Sequence, residues 1–528
     1  MQRTTSLTRY TVVILMGSIK LDGNTLSSTE IHLVSMGEKV EVASDAWVKV
    51  EASRKVVENI LSSGETVYGI NTGFGALVSE SISSEDLAAL QVNLIRSHAC
   101  AIGERMTIPE TRAMMCVRAN SLVKGNSGIQ RTVIEQIITY LNEDIIPVVP
   151  RIGSLGASGD LAPLSHMALA LIGEGKVWKD GQPISTDIML KEKGHIGVEL
   201  AAKDGLSLIN GTSQMCAFLS MAENLLSSLI PLADLVACSS LEARECSIKP
   251  MDPRVHEVRP HHGQALVAER ITKIMIDSDI LESHANCDRV QDAYSFRCIP
   301  QVHGAVLQRF RSLQETLDIE INSATDNPLI FPNPSNPGKN EVISQGNFHG
   351  EILALSADGM SHALFELAHI SERRIDQIVD PSRNDLPPFL ANNSGLESGM
   401  MIVHYVAAAA LSEMHGRAMP RSAFSTPTSG GQEDHVSMGA TACWNLVRAC
   451  EHLSQVLACE LLIACEALEY RKAEPARHVK SLYNLVRKIS PPLVKDRSTS
   501  EEIEAIAKEI SNGGWLARIE AECGRLPR

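Results

Sequence analysis

The apolar positions along this chain recur mostly with a helical period. Phe218, Met221, Ala222, Leu225, Leu229, Leu232, Ala233 and Val236 fall at offsets of three, four and seven, the stripe of a helix buried along one face. Pro231 lies inside that stripe, so a kink is expected there. A second stripe, Leu446, Ala449, Cys450, Leu453, Leu457, Leu461, Ala464, Cys465 and Leu468, belongs to a segment from about Val436 to Tyr470, roughly 50 Å of helix. Similar stripes cover His303 to Leu317 and Ile352 to Ile378, so the middle and end of the chain predict a bundle of long helices.

Toward the N-terminus the elements shorten. Val48, Val50, Ala52, Val56, Val57 and Ile60 predict a helix from about Asp45 to Ser62, ended by Gly64. The next stretch, TVYGINTGFGALVSE, holds three glycines within seven residues and predicts a loop or lid at 67–75. Helical patterning resumes near Ser84 and runs through QVNLIRSHACAIG. Thr11 to Met16 predicts a β-strand, too short to span a membrane and without a cleavage site after it. The Pro-, Asn- and Gly-rich stretches 326–340, 380–395 and 422–435 predict loops at the bundle ends. After a proline break the tail predicts one amphipathic helix, N-capped by Ser498 or Ser500. The expected fold is mainly α: an elongated bundle of long antiparallel helices with a smaller mixed N-terminal region. The expected division is a mixed region over 1–205, which holds the loops 67–75 and 153–160, a central bundle over 206–480 and a helical tail over 481–528.

Composition narrows the function classes. With 48 basic and 63 acidic residues the net charge is −15, and the two signs are interspersed, which argues against a nucleic-acid partner. No continuous apolar run approaches the ~20 residues of a membrane span. The twelve cysteines are scattered without a CxxC pair, which points to a reducing compartment and a cytoplasmic protein.

The stretch RIGSLGASGDLAPLSHMALALIGEG, residues 151–175, raises the chemistry. Its plain reading is a glycine turn followed by a helix that Asp160 caps through its carboxylate. A serine-hydrolase elbow does not fit, because G-x-S-x-G needs glycine two places after the serine and Gly159 follows Ser158 at once. A second reading starts from the backbone of Ala157-Ser158-Gly159. The unhindered Gly159 nitrogen could reach the Ala157 carbonyl carbon, and loss of two waters would leave a methylidene-imidazolone (MIO), an electrophile that no ordinary side chain supplies. The positive end of the following helix would favour negative charge developing there.

The segment GSLGASGDLAPLSH resembles the cofactor-forming loop of the histidine and aromatic amino acid ammonia-lyases. VYGINTGFG (67–75), LINGTSQM (208–215), VQDAYSFRCIPQVHG (290–304) and ISQGNFHGE (343–351) carry the same resemblance in consistent order, over roughly residues 20–520. Ser97-His98 after NLIR, and Glu433 in QEDHVSM, resemble the histidine branch. Phenylalanine and tyrosine lyases place Phe-Leu or His-Leu at the first position, and the phenylalanine enzymes typically place glutamine at the second. A carboxylate and a histidine suit an imidazole ring, which offers one donor and one acceptor when neutral.

The resemblance implies an L-aspartase/fumarase-like architecture and non-oxidative deamination of L-histidine to trans-urocanate and ammonia, the first step of histidine degradation. It implies MIO formed from Ala157, Ser158 and Gly159, with no external cofactor. Tyr68, on the lid, and Tyr294 are the phenols near the chemistry; Tyr68 or the Glu433 carboxylate could take the β-proton. By the same resemblance His98 meets the substrate ring, Asn210 and Gln291 position the prosthetic ring and substrate, Arg297 binds the substrate carboxylate, and Phe348 walls the pocket. Whether the substrate amine or its imidazole attacks the electrophile stays open. It further implies a homotetramer whose active sites each draw on three subunits. Gly431, where many relatives have asparagine, and Ala293, where bacterial relatives often have proline, depart from the pattern beside the site, and the first ~18 residues have no counterpart. His256, His261 and His262 lack Cys, Asp or Glu at ligand spacing, so no metal is expected. The alternatives are a phenylalanine or tyrosine lyase or aminomutase with the same group and, more distantly, a non-catalytic helical scaffold.

Overall fold

The computed structural model describes residues 17–72, 82–83, 85–285, 289–333, 335–336 and 339–528. The expected strand at Thr11 to Met16 and the last part of the expected lid, Gly73 to Gly75, lie outside the described residues.

Four long helices dominate: Ser213–Ala243, Ile299–Glu320, Glu351–Val379 and Gly439–Leu468, of 31, 22, 29 and 30 residues. They match the four stripes and overrun them at most ends, because packing extends a helix past its last apolar residue. Ser213–Ala243 runs through Pro231 as one helix. Among the described residues it is the one helix long and apolar enough to cross a membrane, yet 78% of its most apolar window is buried inside the protein, so it is accounted for as core. No continuous apolar run had marked it, because serines and Glu223, Asp234 and Glu242 interrupt the stripe.

The chain folds into two compact units. Among the described residues, the first comprises those of 1–221, 315–355 and 421–444; the second comprises those of 222–314, 356–420 and 445–528.

In the first unit the helix Ser44–Ser63 ends where Gly64 adopts a left-handed conformation, as its sequence foretold. The helix Ile108–Val123 escapes the periodicity reading because it is buried on nearly every face, leaving no polar side to set a period. Its start is written locally: Thr107 and Glu110 form a reciprocal capping box, with Pro109 in the first turn. Strands are short and paired two by two. Ile102–Arg105 pairs antiparallel with Pro150–Ile152, which leads directly into the 153–160 loop. The stretch 326–340, expected as loop, holds the strand Leu329–Phe331, paired with Glu341–Ile343; its prolines sit outside the three paired residues.

In the second unit the long helices are locked by buried charge. Glu460 accepts from Arg374 Nε at 2.5 Å and Nη2 at 2.9 Å, and from the hydroxyls of Ser240 and Ser371 at 2.7 and 2.5 Å. Asp234 takes His303 Nδ1 at 2.6 Å and pairs with Arg270. The one amphipathic helix expected after the proline break is Ser500–Ser511, and a further helix, Gly514–Cys523, follows it. Thr499, not Ser498 or Ser500, precedes the first, and its side chain makes no cap bond. A helix at Met401–Ala418, apolar around most of its circumference, also escaped the sequence reading.

Candidate active site

The loop between the strand Pro150–Ile152 and the helix Leu161–Leu171 is fixed mainly by backbone partners. Ser154 Oγ donates to Gly159 O at 3.2 Å and to Asp160 Oδ1 at 2.8 Å, and Gly156 N returns a 3.1 Å bond to Ser154 Oγ. Gly156 O accepts from Gly350 N and from Ser437 Oγ, both at 2.9 Å. Met438 N donates to Leu155 O at 2.8 Å. Segments 210–215, 350 and 437–438, distant in sequence, thus converge on one short loop.

Asp160 does not cap its own helix, as the local pattern suggested; the helix Leu161–Leu171 has no side-chain cap. Its Oδ2 instead accepts from Gln214 N at 2.7 Å and Met215 N at 3.1 Å, in the first turn of the helix Ser213–Ala243. The carboxylate lies between the starts of two helices. Burial raises its pKa to about 6 against these hydrogen bonds, which pull the other way.

Gly159 has φ +73°, and a Cβ there would collide with the carbonyl of Gly211. Gly211 O in turn accepts from Asp160 N at 2.8 Å. Glycine is therefore required at 159 by both conformation and space. Ala157 is buried and Ser158 half-buried.

Two of the expected site residues bond directly to Ser158. Asn210, which follows the helix Asp204–Ile209, donates Nδ2 to Ser158 O at 2.9 Å, while its buried Oδ1 has no partner. Glu433 Oε1 accepts from Ser158 Oγ at 2.8 Å, and Thr428 Oγ1 holds the other carboxylate oxygen at 2.8 Å. His98 ends the helix Leu87–His98, with Nδ1 2.8 Å from Leu94 O. A carbonyl only accepts, so Nδ1 carries the proton and Nε2 is left as an acceptor. Burial lowers the His98 pKa, while the carbonyl bond and the charge of Glu433 raise it, which places His98 within electrostatic reach of Glu433.

Tyr68 sits on a half-buried turn, anchored by Ile70 in a core cluster with Val56, Val57, Ile60, Leu87, Ala202 and Ile330. Phe348 is half-buried next to His349, whose ring stacks on His435 with centroids 5.7 Å apart. Gln291, Tyr294 and Arg297 belong to the second unit. Gln291 is exposed, Tyr294 is 71% exposed, and the Arg297 guanidinium lies over the Tyr294 ring at 4.5 Å with Nε buried and unpartnered.

Thr428, Ser437, Ser154 and Gly211, all bonded to the loop or its partners, carried no role in the sequence reading. Gly211 lies inside the quoted LINGTSQM segment and Ser437 inside QEDHVSM, but their partners are set by chain crossings that local spacing does not encode. Of the histidines considered for a metal, His256 faces Pro250 O and Gln264 Nε2, and His262 faces Arg311. Among the described residues no group of three or more His, Cys, Asp or Glu is placed to hold a metal ion.

A mostly helical fold thus gathers a Gly-Ala-Ser-Gly loop, an asparagine and a glutamate around one serine. The aromatic amino acid lyase family matches residues 26–488, and the chain belongs to that family. Among similar proteins, the histidine ammonia-lyase of Myxococcus xanthus is 43% identical over 505 residues, covering 95% of this chain and 98% of that protein. That of Bacillus subtilis is 44% identical over 490 residues, covering 92% and 95%. Among solved structures, Trypanosoma cruzi histidine ammonia-lyase superposes with a TM-score of 0.87 at 36% identity, covering 96% of this chain and 95% of that one. A tyrosine aminomutase from Streptomyces globisporus superposes with a TM-score of 0.90 at 34% identity, covering 97% and 100%. Backbone likeness is thus as good to an aminomutase as to a histidine lyase, and substrate choice has to be argued from side chains.

Proposed function

We propose that this protein is a histidine ammonia-lyase, converting L-histidine to trans-urocanate and ammonia without oxidation, and so opening histidine degradation. The observation that carries the reading is the convergence of Asn210 and Glu433 on Ser158, with His98 in electrostatic reach of Glu433. The His98 Nε2 acceptor suits the single N–H of a neutral substrate imidazole. A phenyl ring would leave that acceptor unpaired, at about 1–3 kcal/mol. The 42–45% identity to curated histidine ammonia-lyases supports the same choice over an aminomutase or a phenylalanine or tyrosine lyase.

The loop fits MIO on its own geometry. Gly159 has no room for a Cβ, the carbonyl of Gly156 is held from two sides, and the Ser158 carbonyl and hydroxyl each have a fixed partner. Ring closure would join Gly159 N to Ala157 C. The Ala157 oxygen leaves with the amide hydrogens of Gly159 and Ser158, and the Ser158 hydroxyl leaves with its α-hydrogen. Once formed, the group supplies an electrophilic carbon that accepts electrons as the amino nitrogen departs.

The remaining work falls to side chains. Glu433, no longer bonded to a serine hydroxyl once closure has removed it, turns to the substrate. Its carboxylate or the Tyr68 phenol takes the β-proton. The unpartnered Asn210 Oδ1 accepts from the substrate ammonium, His98 Nε2 from the imidazole N–H. Arg297 takes the carboxylate in two-pronged fashion, with Tyr294, Gln291 and Phe348 completing the pocket. Arg297 and Tyr294 enter through assembly into a homotetramer with sites shared between subunits. Exposed apolar residues support that assembly: Ile402, Tyr405 and Val406 on the helix Met401–Ala418, and Ile352 and Leu355 at the start of Glu351–Val379. The reading also carries a cytoplasmic enzyme.

Ser158→Ala tests it. Histidine turnover, followed by urocanate absorbance, falls to near zero with the association state unchanged, and the wild-type protein is inert toward phenylalanine and tyrosine. Retained turnover in the variant overturns the assignment.

A further inference from the structure

Arg118 lies on the mostly buried helix Ile108–Val123, itself 0% exposed, and its guanidinium is not fully used. Nη2 donates to the carbonyl of Ser207, while Nε and Nη1 are buried without a partner. Ser207 lies in the short helix Asp204–Ile209, and the two residues after that helix are Asn210 and Gly211. Both touch the reactive tripeptide or its neighbour: Asn210 bonds Ser158 O, and Gly211 O receives Asp160 N. A Cβ on Gly211, where φ is +146°, would collide with Arg118 Nη1 and come within 2.6 Å of Thr325 Oγ1. The guanidinium is therefore packed directly behind the backbone that faces Gly159.

Arg118 remains a cation, although burial lowers its pKa to about 10; the charges of Asp326 and Asp160 sustain it. Asp326 is tied down in turn, receiving Lys203 Nζ at 2.6 Å and Ser207 Oγ at 3.0 Å. A buried guanidinium with two unused nitrogens is costly and would not persist for packing alone. Its single strong bond is to a carbonyl in the last turn of a helix, where a cation is favoured, one turn before the residues that grip the loop.

We infer that Arg118 is a positioning residue for ring closure: it presses the 207–211 segment against Ser158–Asp160, so that Gly159 N is held toward the Ala157 carbonyl before the bond forms. This rests on the MIO reading above. No atom of Arg118 need touch substrate.

Intact mass of purified full-length protein tests it, with urocanate formation as a second readout. Wild-type protein that has closed is lighter than its encoded chain by two waters; a wild-type mass equal to the encoded chain would instead remove the MIO reading itself. Arg118→Met is expected to leave most of the soluble chains at the unclosed mass. Arg118→Lys, which keeps the charge and an N–H donor but loses the planar fork, closes in part. Arg374→Met, which breaks a buried ion pair in the other compact unit, serves as the control for lost stability and closes fully. The inference is overturned if soluble Arg118→Met closes as completely as wild type. It is equally overturned if both Arg118 variants are insoluble while Arg374→Met is soluble and closed, since Arg118 would then be needed for folding alone.

Discussion

Ser158 Oγ donates a 2.8 Å hydrogen bond to Glu433 Oε1, joining residues 275 positions apart. Thr428 fixes the other carboxylate oxygen, so Glu433 has one orientation relative to the tripeptide. Glu433→Gln keeps that shape and an acceptor for the serine but loses the charge. Ring closure should survive, and the histidine turnover number should fall by about 10²–10⁴, the usual worth of a positioned general base. Intact mass and steady-state urocanate formation check the two halves separately; a wild-type rate would remove Glu433 from the chemistry.

His98 Nδ1 is committed to Leu94 O, and the proposed function gives Nε2 to the substrate ring. His98→Leu should raise KM for histidine with a smaller change in kcat, the combined effect being roughly 5- to 150-fold for one unpaired group. Because burial lowers its pKa, the acceptor form persists below the usual value of 6.5. The His98-dependent weakening of binding, read as the difference between wild type and His98→Leu across pH so that the substrate's own titration cancels, should therefore begin below pH 6.5, and a beginning above it would contradict the assignment.

Asp160 titrates near 6 when folded against a usual value of 3.8, so between those limits the folded chain binds more protons than the unfolded one. Stability from this group is accordingly present at low pH and lost as pH rises from about 4 to about 6, with a slope of at most about 1.4 kcal/mol per unit. Urea midpoints of wild type and Asp160→Asn across that range should diverge, the wild type losing ground as pH rises. Parallel curves would mean that the carboxyl is ionised throughout.

Arg374 and Glu460 are both fully buried and doubly hydrogen-bonded to each other. Arg374→Met alone should cost about 3–5 kcal/mol by stranding Glu460, whereas pairing it with Glu460→Leu should recover most of the loss. A double-mutant cycle by chemical denaturation measures the coupling, and additive losses would contradict it.

Helix content was legible in several helices with two unlike sides, though Arg131–Asn142 and Arg477–Arg487, which also bury one side, were not singled out. Ser44–Ser63 and the four long helices declared themselves by period, and Gly64 by being the residue that tolerates a left-handed stop. Ile108–Val123 and Met401–Ala418 did not, the first because every face is buried, the second because apolar residues also occupy its exposed side. Asp160 was misread for a related reason: a carboxylate ahead of a helix looks like that helix's cap, and only the chain's return at Gln214 shows a different helix receiving it.

By itself the sequence determined most of the long elements and singled out the Ala157-Ser158-Gly159 tripeptide, because period, glycine placement and local backbone chemistry depend on neighbours in the chain. It also offered His98, Asn210 and Glu433 as expected site residues, through their resemblance to a family. Tertiary structure alone decided which groups meet Ser158, how Asp160 bridges two helix starts and where Arg118 spends its charge. Those are contacts between residues tens to hundreds of positions apart, and they form only when burying apolar faces forces the chain to cross itself.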